Sequence, residues 1–101
     1  MTFRIQFAPR ALDQLDALED YIVSAGSPLA AGRYIDALFE YFESLAEFPL
    51  RGNQRDDLFP GLRLTNFRHR TIIAFVVDAD QRVLSILGVF HGGKDYETAF
   101  R

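Results

Sequence analysis

Three apolar runs between residues 61 and 91 constrain the fold of this 101-residue chain more than any other stretch. The middle run, Ile72 to Val77, is a continuous series of mostly β-branched and aromatic residues. It is too short for a buried helix and is typical of a strand covered on both faces. The polar breaks Arg68-His69 and Asp78 to Gln81 are short, and parallel pairing would need a long crossover. We therefore predict a three-stranded antiparallel meander with the middle run at its centre.

The strands on either side of the central one have different patterns. Leu62 and Leu64, with Asn66 in the same register, alternate with Arg63, so we expect these three to face inward and Arg63 to lie on the other face. The last run, Val83 to Phe90, is apolar at both parities. That pattern predicts a strand with two covered faces.

The first half of the chain predicts a strand and a helical hairpin. Phe3, Ile5 and Phe7 alternate with polar residues, and Pro9 suits the first position of a helix. The following segment has its leucines and isoleucine at three- and four-residue spacing, which predicts an amphipathic helix that ends near Gly26. That apolar stripe consists of Leu12, Leu15, Leu18 and Ile22.

A second helix is predicted from about Pro28 to Glu47, with Ser27 as its N-cap. Its connection to the first helix is short, so the two should be antiparallel. Its apolar stripe consists of Ala31, Ile35, Leu38, Phe42 and Leu45, and four further aromatic side chains widen it, namely Tyr34, Phe39, Tyr41 and Phe48. We predict a polar loop over residues 50–58, and a short tail or one helical turn over residues 96–100 that docks through its aromatic residues.

Composition limits the class of protein. A chain of 101 residues supports one modest core, so we expect a single domain over residues 1–101. The sequence has no cysteine, no signal-peptide pattern and no apolar run of membrane-spanning length. We therefore expect a cytoplasmic protein that does not associate with membranes.

Charge is unevenly distributed along the chain, whose net charge is -3. Residues 11–50 hold eight acidic residues and one arginine, whereas residues 51–82 hold six arginines and four acidic residues. The simpler interpretation is a surface with many ion pairs. The alternative is a recognition face for an acidic partner, because arginine makes planar, bidentate contacts with carboxylates and phosphates.

No cofactor or metal site is predicted. His69, His91 and Asp95 lack a ligand spacing, and the serines and glycines form neither a hydrolase triad nor a phosphate-binding loop. For Arg63 we favour a structural role, either pairing with Asp56 or Asp57 or tying the preceding loop to the sheet. For His91 we favour a hydrogen bond to Asp95.

The chain resembles the ParE branch of the RelE/ParE toxin superfamily, whose members include plasmid-stabilisation proteins. The resemblance covers nearly the whole chain and implies an α+β fold with the element order β-α-α-β-β-β. It is carried by the strand-Pro9-helix entry, Leu12-x-x-Leu15-x-x-Leu18-x-x-Tyr21-Ile22, Phe48-Pro49-x-x-Gly52, Asp57-Leu58-x-Pro60-Gly61-Leu62-Arg63, the strand Ile72 to Val77, and Val89-Phe90-His91 with Asp95 shortly after.

The resemblance implies the toxin of a type II toxin-antitoxin module. Such a toxin would inhibit DNA gyrase by protein-protein binding, without catalysis or direct nucleic-acid binding, and a ParD-like antitoxin would neutralise it in a hetero-oligomer. The predicted antitoxin groove consists of Leu12, Leu15, Leu18, Ile22, Tyr34, Leu38 and Phe42. The residues predicted to face the target are Arg63, Arg70, His91, Asp95, Tyr96 and Phe100.

Two alternatives stay open. A RelE-like messenger ribonuclease would need cations to hold the RNA backbone and groups that move protons. Its candidate residues are Arg63, Arg68, Arg70, His91 and Tyr96. Against it stands the net charge of -3, because docking on ribosomal RNA depends on phosphate neutralisation. The other alternative is a non-toxic module that only binds an antitoxin.

Overall fold

A computed structural model describes residues 2–100 and confirms the predicted α+β order of elements. Strand β1 and helices α1 and α2 come first, four strands follow, and a single helical turn, α3, comes last. The bounds are β1 Arg4–Phe7, α1 Pro9–Ala25, α2 Pro28–Glu47, β2 Asn53–Gln54, β3 Arg63–Phe67, β4 Thr71–Asp78, β5 Val83–His91 and α3 Tyr96–Ala99. In this part of the chain, no helix combines the length and apolar character needed to cross a membrane.

The helices form one layer of the fold, and a single five-stranded sheet forms the other. The strand order in the sheet is β1-β5-β4-β3-β2. Strand β4 lies at its centre and is antiparallel to both β3 and β5, so the predicted meander is confirmed. Strand β1 runs parallel to β5, the arrangement that the long crossover through both helices permits. The predicted loop over residues 50–58 is wrong in one detail, because Asn53 and Gln54 pair with β3 as an edge strand.

The helical hairpin has the predicted start and stop signals. Pro9 lies at the beginning of α1, and Gly26 follows its end. The side chain of Ser27 accepts a hydrogen bond from the backbone N–H of Ala30 at 3.0 Å, which caps α2. These signals hold both helices to the lengths that the sequence predicts.

The hairpin packs on one face of the sheet, which we call the helix-side face. Leu12 is an exception to the predicted stripe, with 47% of its surface exposed. The face that points into the core is centred between Ala11 and Leu15, and at 100° per residue Leu12 lies roughly 80° away from that centre. The buried residues of this core are Ala11, Leu15, Leu18, Leu38, Phe42, Leu45, Phe67, Ile73, Phe75, Leu84, Ile86 and Val89.

A second apolar cluster covers the opposite face of the sheet, which we call the outer face. Leu62, Leu64, Ala74 and Phe90 are buried there beneath α3 and the residues around it. The Phe100 ring lies 6.1 Å from that of Phe90, so the aromatic residues near the C-terminus dock as predicted. The expectation that Asn66 faces inward is wrong: its side chain is exposed, because the outer cover does not extend over it.

A bulge explains why β5 is apolar at both parities. Ala74 pairs with Gly88 and Phe75 pairs with Ile86, so Leu87 is an extra residue in β5. The bulge shifts the alternation by one position, which leaves Ile86 and Val89 together in the helix-side core. The same shift places His91 on the helix-side face at the end of the strand.

Candidate functional site

Three polar side chains joined by hydrogen bonds lie at the end of β5. The hydroxyl of Thr71 is 2.6 Å from that of Tyr34 and 2.7 Å from Nδ1 of His91. Thr71 and His91 are paired across β4 and β5, and Tyr34 reaches them from α2. Thr71 is fully buried, so the two hydrogen bonds satisfy a hydroxyl that water cannot reach. The hydrogen bond with Thr71 fixes the imidazole of His91 in one orientation.

Aromatic rings and an arginine surround this histidine. The ring of His91 lies 5.9 Å from that of Tyr21 and 5.8 Å from that of Tyr34. The guanidinium of Arg68 lies over the Tyr34 ring at 5.7 Å and over the Phe67 ring at 5.1 Å. Stacking of this kind holds a cation beside the site while its polar edge stays in water.

The electrostatic environment of His91 favours its neutral form. Burial lowers its pKa, and the positive charges of Arg70 and Lys94 lower it further.

Arg68 and His69 both have positive φ angles, 54° and 61°, in the turn between β3 and β4. Non-glycine residues at positive φ are strained, and such strain often occurs at functional sites.

A pocket of about 270 Å³ opens between α1 and this end of β5. Its wall on the helix includes Gln14, Ala17 and Tyr21, and its wall on the strand includes Val89 and His91. Lys94, in the turn after β5, also lines the pocket. The wall is mainly apolar with one cation, which suits a small ligand or a segment of a partner. Among residues 2–100, no three histidine, aspartate or glutamate side chains are grouped so as to hold a metal ion.

A second pocket, of about 420 Å³, lies on the outer face beside β2. Its lining includes Asn53, Arg55 and Tyr96. Two parallel hydrogen bonds of 2.9 Å join Arg55 to Asp57, and Arg55 also lies 3.4 Å from Glu97. The hydrogen bond with Arg55 lowers the pKa of Asp57. The bridging guanidinium ties the loop before β3 to α3.

The five residues predicted for a ribonuclease do not form one cluster. Tyr96 lies on the outer face, where its ring is 6.3 Å from that of Phe90, whereas His91 lies on the helix-side face. Arg63 is at the opposite end of β3 from Phe67, roughly 13 Å away along the strand. Only Arg68 and Arg70 lie near His91.

For Arg63 the second of the two predicted structural roles is confirmed, whereas Nδ1 of His91 bonds to Thr71 and not to the predicted Asp95. Arg63 does not pair with the adjacent aspartates: it donates a 3.2 Å hydrogen bond to the backbone carbonyl of Arg51, which ties the preceding loop to the sheet. The hydrogen bond at Nδ1 of His91 goes to Thr71, and the Asp95 side chain caps α3 by accepting from Thr98 N–H at 3.2 Å.

The seven residues predicted as an antitoxin groove do not line one open surface. Four of them fill the helix-side core, namely Leu15, Leu18, Leu38 and Phe42. Leu12 is exposed beside that core, and Ile22 and Tyr34 are half-buried. These side chains are buried because the apolar stripes of the two antiparallel helices pack on the sheet and are not left exposed for a partner. Antitoxin binding by the remaining surface stays a prediction.

The residues predicted to face the target fall into separate groups. Arg70 and His91 lie beside the first pocket, whereas Asp95, Tyr96 and Phe100 surround α3 on the outer face. Sequence analysis missed Gln14, Ala17, Tyr21, Thr71 and Lys94. Only Thr71 had a usable signal, since the predicted meander pairs the start of β4 with the end of β5.

Several solved structures of other proteins are similar to this fold. The chromosomal ParDE toxin-antitoxin system from P. aeruginosa contains a chain with a TM-score of 0.75 and 21% identity, covering 90% of this chain and 97% of that chain. A mutant of the E. coli toxin RelE in the free state gives a TM-score of 0.70 at 16% identity, covering 99% and 94% of the two chains. At these identities the likeness concerns the fold.

A third similar structure is a RelBE toxin-antitoxin complex from Mycobacterium tuberculosis, with a TM-score of 0.66 and 20% identity, covering 90% of this chain and 99% of that chain. No curated protein sequence matches the chain. A family match extends over residues 5–96, from β1 to the start of α3, and its description is the ParE toxin of the type II toxin-antitoxin system, parDE. The chain therefore belongs to the ParE toxin family of type II toxin-antitoxin systems.

Proposed function

We propose that this toxin acts in the cytoplasm, inhibits DNA gyrase by direct protein-protein binding, and is neutralised by a ParD-like antitoxin in a hetero-oligomeric complex. The observation that carries the choice of a non-catalytic mechanism is the separation of His91 and Tyr96 on opposite faces of the sheet. A binding toxin requires an exposed surface, whereas RNA cleavage requires a compact set of reacting groups.

The chemistry of RNA cleavage explains this choice. A base must deprotonate the 2′-hydroxyl and an acid must protonate the leaving oxygen, so both groups must lie within hydrogen-bond reach of the same phosphate. Two side chains separated by a β-sheet do not satisfy this requirement. The net charge of -3 also disfavours docking on ribosomal RNA.

Two observations support an antitoxin partner. Similar structures come from a ParDE system and a RelBE toxin-antitoxin complex. The chain itself exposes large apolar side chains that a partner would cover, including Leu29, Phe48 and Leu50, whose exposed fractions are 64%, 65% and 72%. Polar surface elsewhere on the helices would keep such a contact local.

The test is a supercoiling assay with purified toxin, DNA gyrase, relaxed plasmid and ATP. We expect loss of supercoiling, reversed by the cognate ParD-like antitoxin. Arg70→Glu should weaken the inhibition, whereas Arg82→Glu, the same charge change in the turn before β5, should not. Normal supercoiling at a large excess of folded toxin would reject gyrase as the target.

The ribonuclease alternative retains one supporting observation, the imidazole of His91 held by Thr71 beside Arg70 and Lys94. Its test is cleavage of a transcript in a translation extract, with His91→Gln as the variant that should lose cleavage. If neither supercoiling nor transcripts are affected while the antitoxin still binds, the chain is a non-toxic binding module.

A further inference from the structure

Within residues 2–100, the later part of β5 has an edge that no other strand covers. Strand β1 accompanies β5 only from Val83 to Ile86, and the bulge at Leu87 follows immediately. Because backbone groups alternate in an antiparallel pair, the residues that follow the bulge at odd positions direct their N–H and C=O groups away from β4. Val89 and His91 therefore present a strand edge in line with the end of β1.

Helix α1 satisfies only the first part of this edge. Nε of Arg10 donates a hydrogen bond to the Leu87 carbonyl at 3.4 Å, and Oε1 of Gln14 accepts one from the Val89 N–H at 2.7 Å. These two side chains occupy the positions that the backbone of a neighbouring strand would take. One turn further along the helix the small Ala17 leaves a gap, and the pocket of about 270 Å³ opens there.

The pocket has the two kinds of group that an extended acidic peptide needs. By the alternation of β5, the Val89 carbonyl and the His91 N–H point toward it, and these are the groups that pair with a neighbouring strand. Lys94 lies on its wall, and Arg70 is close enough for its positive charge to lower the pKa of His91. Among the described residues that line the pocket, none is acidic.

We propose that this pocket binds an extended, acidic peptide segment of a partner protein, which adds to β5 as a short strand in line with β1. One backbone N–H of the segment donates a hydrogen bond to the Val89 carbonyl. A backbone carbonyl of the segment accepts one from the His91 N–H. A carboxylate on the segment pairs with Lys94, and the exposed ring of Tyr21 closes over it.

The size of the pocket limits the segment. A volume of about 270 Å³ lies just below the usual range for small-molecule sites, so the bound part of the segment is short. The proposal goes beyond gyrase inhibition, because it concerns a separate contact that any toxin of this structure could make. Its test and the supercoiling assay therefore fail independently.

The probe is the dye-labelled peptide Val-Glu-Val-Glu-Val, acetylated and amidated at its ends, with binding to the full-length chain followed by fluorescence anisotropy. We expect saturable binding and backbone NMR shifts centred on residues 89–94. A peptide with lysine in place of glutamate, and one N-methylated at its central amides, should each bind at least about tenfold more weakly, because one loses the ion pair and the other the strand pairing.

Matched variants locate the site. Ala17→Phe fills the pocket and Lys94→Glu reverses its charge, and each should weaken binding at least about tenfold. Ala30→Phe, on an exposed position of α2, and Arg82→Glu, in the turn at the opposite end of β5, should leave binding unchanged. Circular dichroism melting of all four variants checks that each is folded.

Three outcomes of the peptide-binding experiments would overturn the proposal. The first is no saturable binding of the acidic probe, and the second is equal binding of the acidic and lysine probes. The third is binding that Ala17→Phe and Lys94→Glu leave intact while both variants are folded. A concentration-dependent dimer whose contact shifts the same NMR signals without the probe would assign the pocket to a second copy of the chain.

Discussion

Replacing Thr71 with valine removes one buried hydroxyl and leaves the shape of the side chain almost unchanged. The hydroxyl joins Tyr34 and His91 through hydrogen bonds of 2.6 and 2.7 Å. Each such bond contributes about 0.5–1.5 kcal/mol to stability, and the partners that remain lose their hydrogen bond in a partly buried site. We expect Thr71→Val to lower the free energy of unfolding by about 2 kcal/mol.

Thermal and urea unfolding measure this loss. For a chain of this size, about 2 kcal/mol corresponds to a fall in Tm of roughly 8–16 °C. The matched control is Thr65→Val, because Thr65 makes a 2.7 Å hydrogen bond to Tyr41 at a half-exposed position. Water can replace that bond, so we expect a loss below about 1 kcal/mol. Equal losses of unfolding free energy in the two variants would refute the argument that burial makes the hydrogen bonds of Thr71 more stabilising than that of Thr65.

Three further predictions test the core, the site and the edge strand. Leu38→Ala should lower the free energy of unfolding by about 2–5 kcal/mol, because it leaves a cavity, whereas Leu12→Ala should change it by less than about 0.5 kcal/mol; chemical denaturation compares the two. Burial and nearby cations hold the pKa of His91 below its usual 6.5, so the unfolded chain binds a proton first as the pH falls. Stability should therefore decrease below about pH 6.5, and His91→Gln should flatten that decrease; unfolding curves from pH 5 to 8 would contradict this if the variant kept the full slope. Gly52→Ala should destabilise the chain more than Gly61→Ala, because both have positive φ but only the first would press a Cβ against the backbone of β3; equal melting temperatures would count against that contact.

The sequence predicted the elements because their signals are local. Pro9 and Ser27 begin the helices, and the β-branched run of β4 needs no information from elsewhere in the chain. The phase of α1 was less certain because hydrophobic periodicity favours leucine over alanine. Ala11 faces the core and Leu12 does not, a difference of one position that depends on how the helix meets the sheet.

The site was harder to predict because its groups meet through distant contacts. The parallel pairing of β1 with β5 has no local signal, and neither does the bulge at Leu87 that turns Val89 toward Gln14. The separation of His91 and Tyr96 also depends on the sheet between them. A list of residues with suitable chemistry does not record the face on which each one lies.

The parallel pairing of β1 with β5 also determines when the protein can become active during its synthesis. Arg4 pairs with Val83, roughly 80 positions later, and at 5–20 residues per second a ribosome takes about 4–16 s to make that distance. Until β5 leaves the ribosome, the hairpin has no complete sheet to cover, and its apolar stripes stay open to chaperones or to any other binding protein. A toxin with this topology therefore gives its cell an interval of seconds in which each new copy can be captured before it is folded.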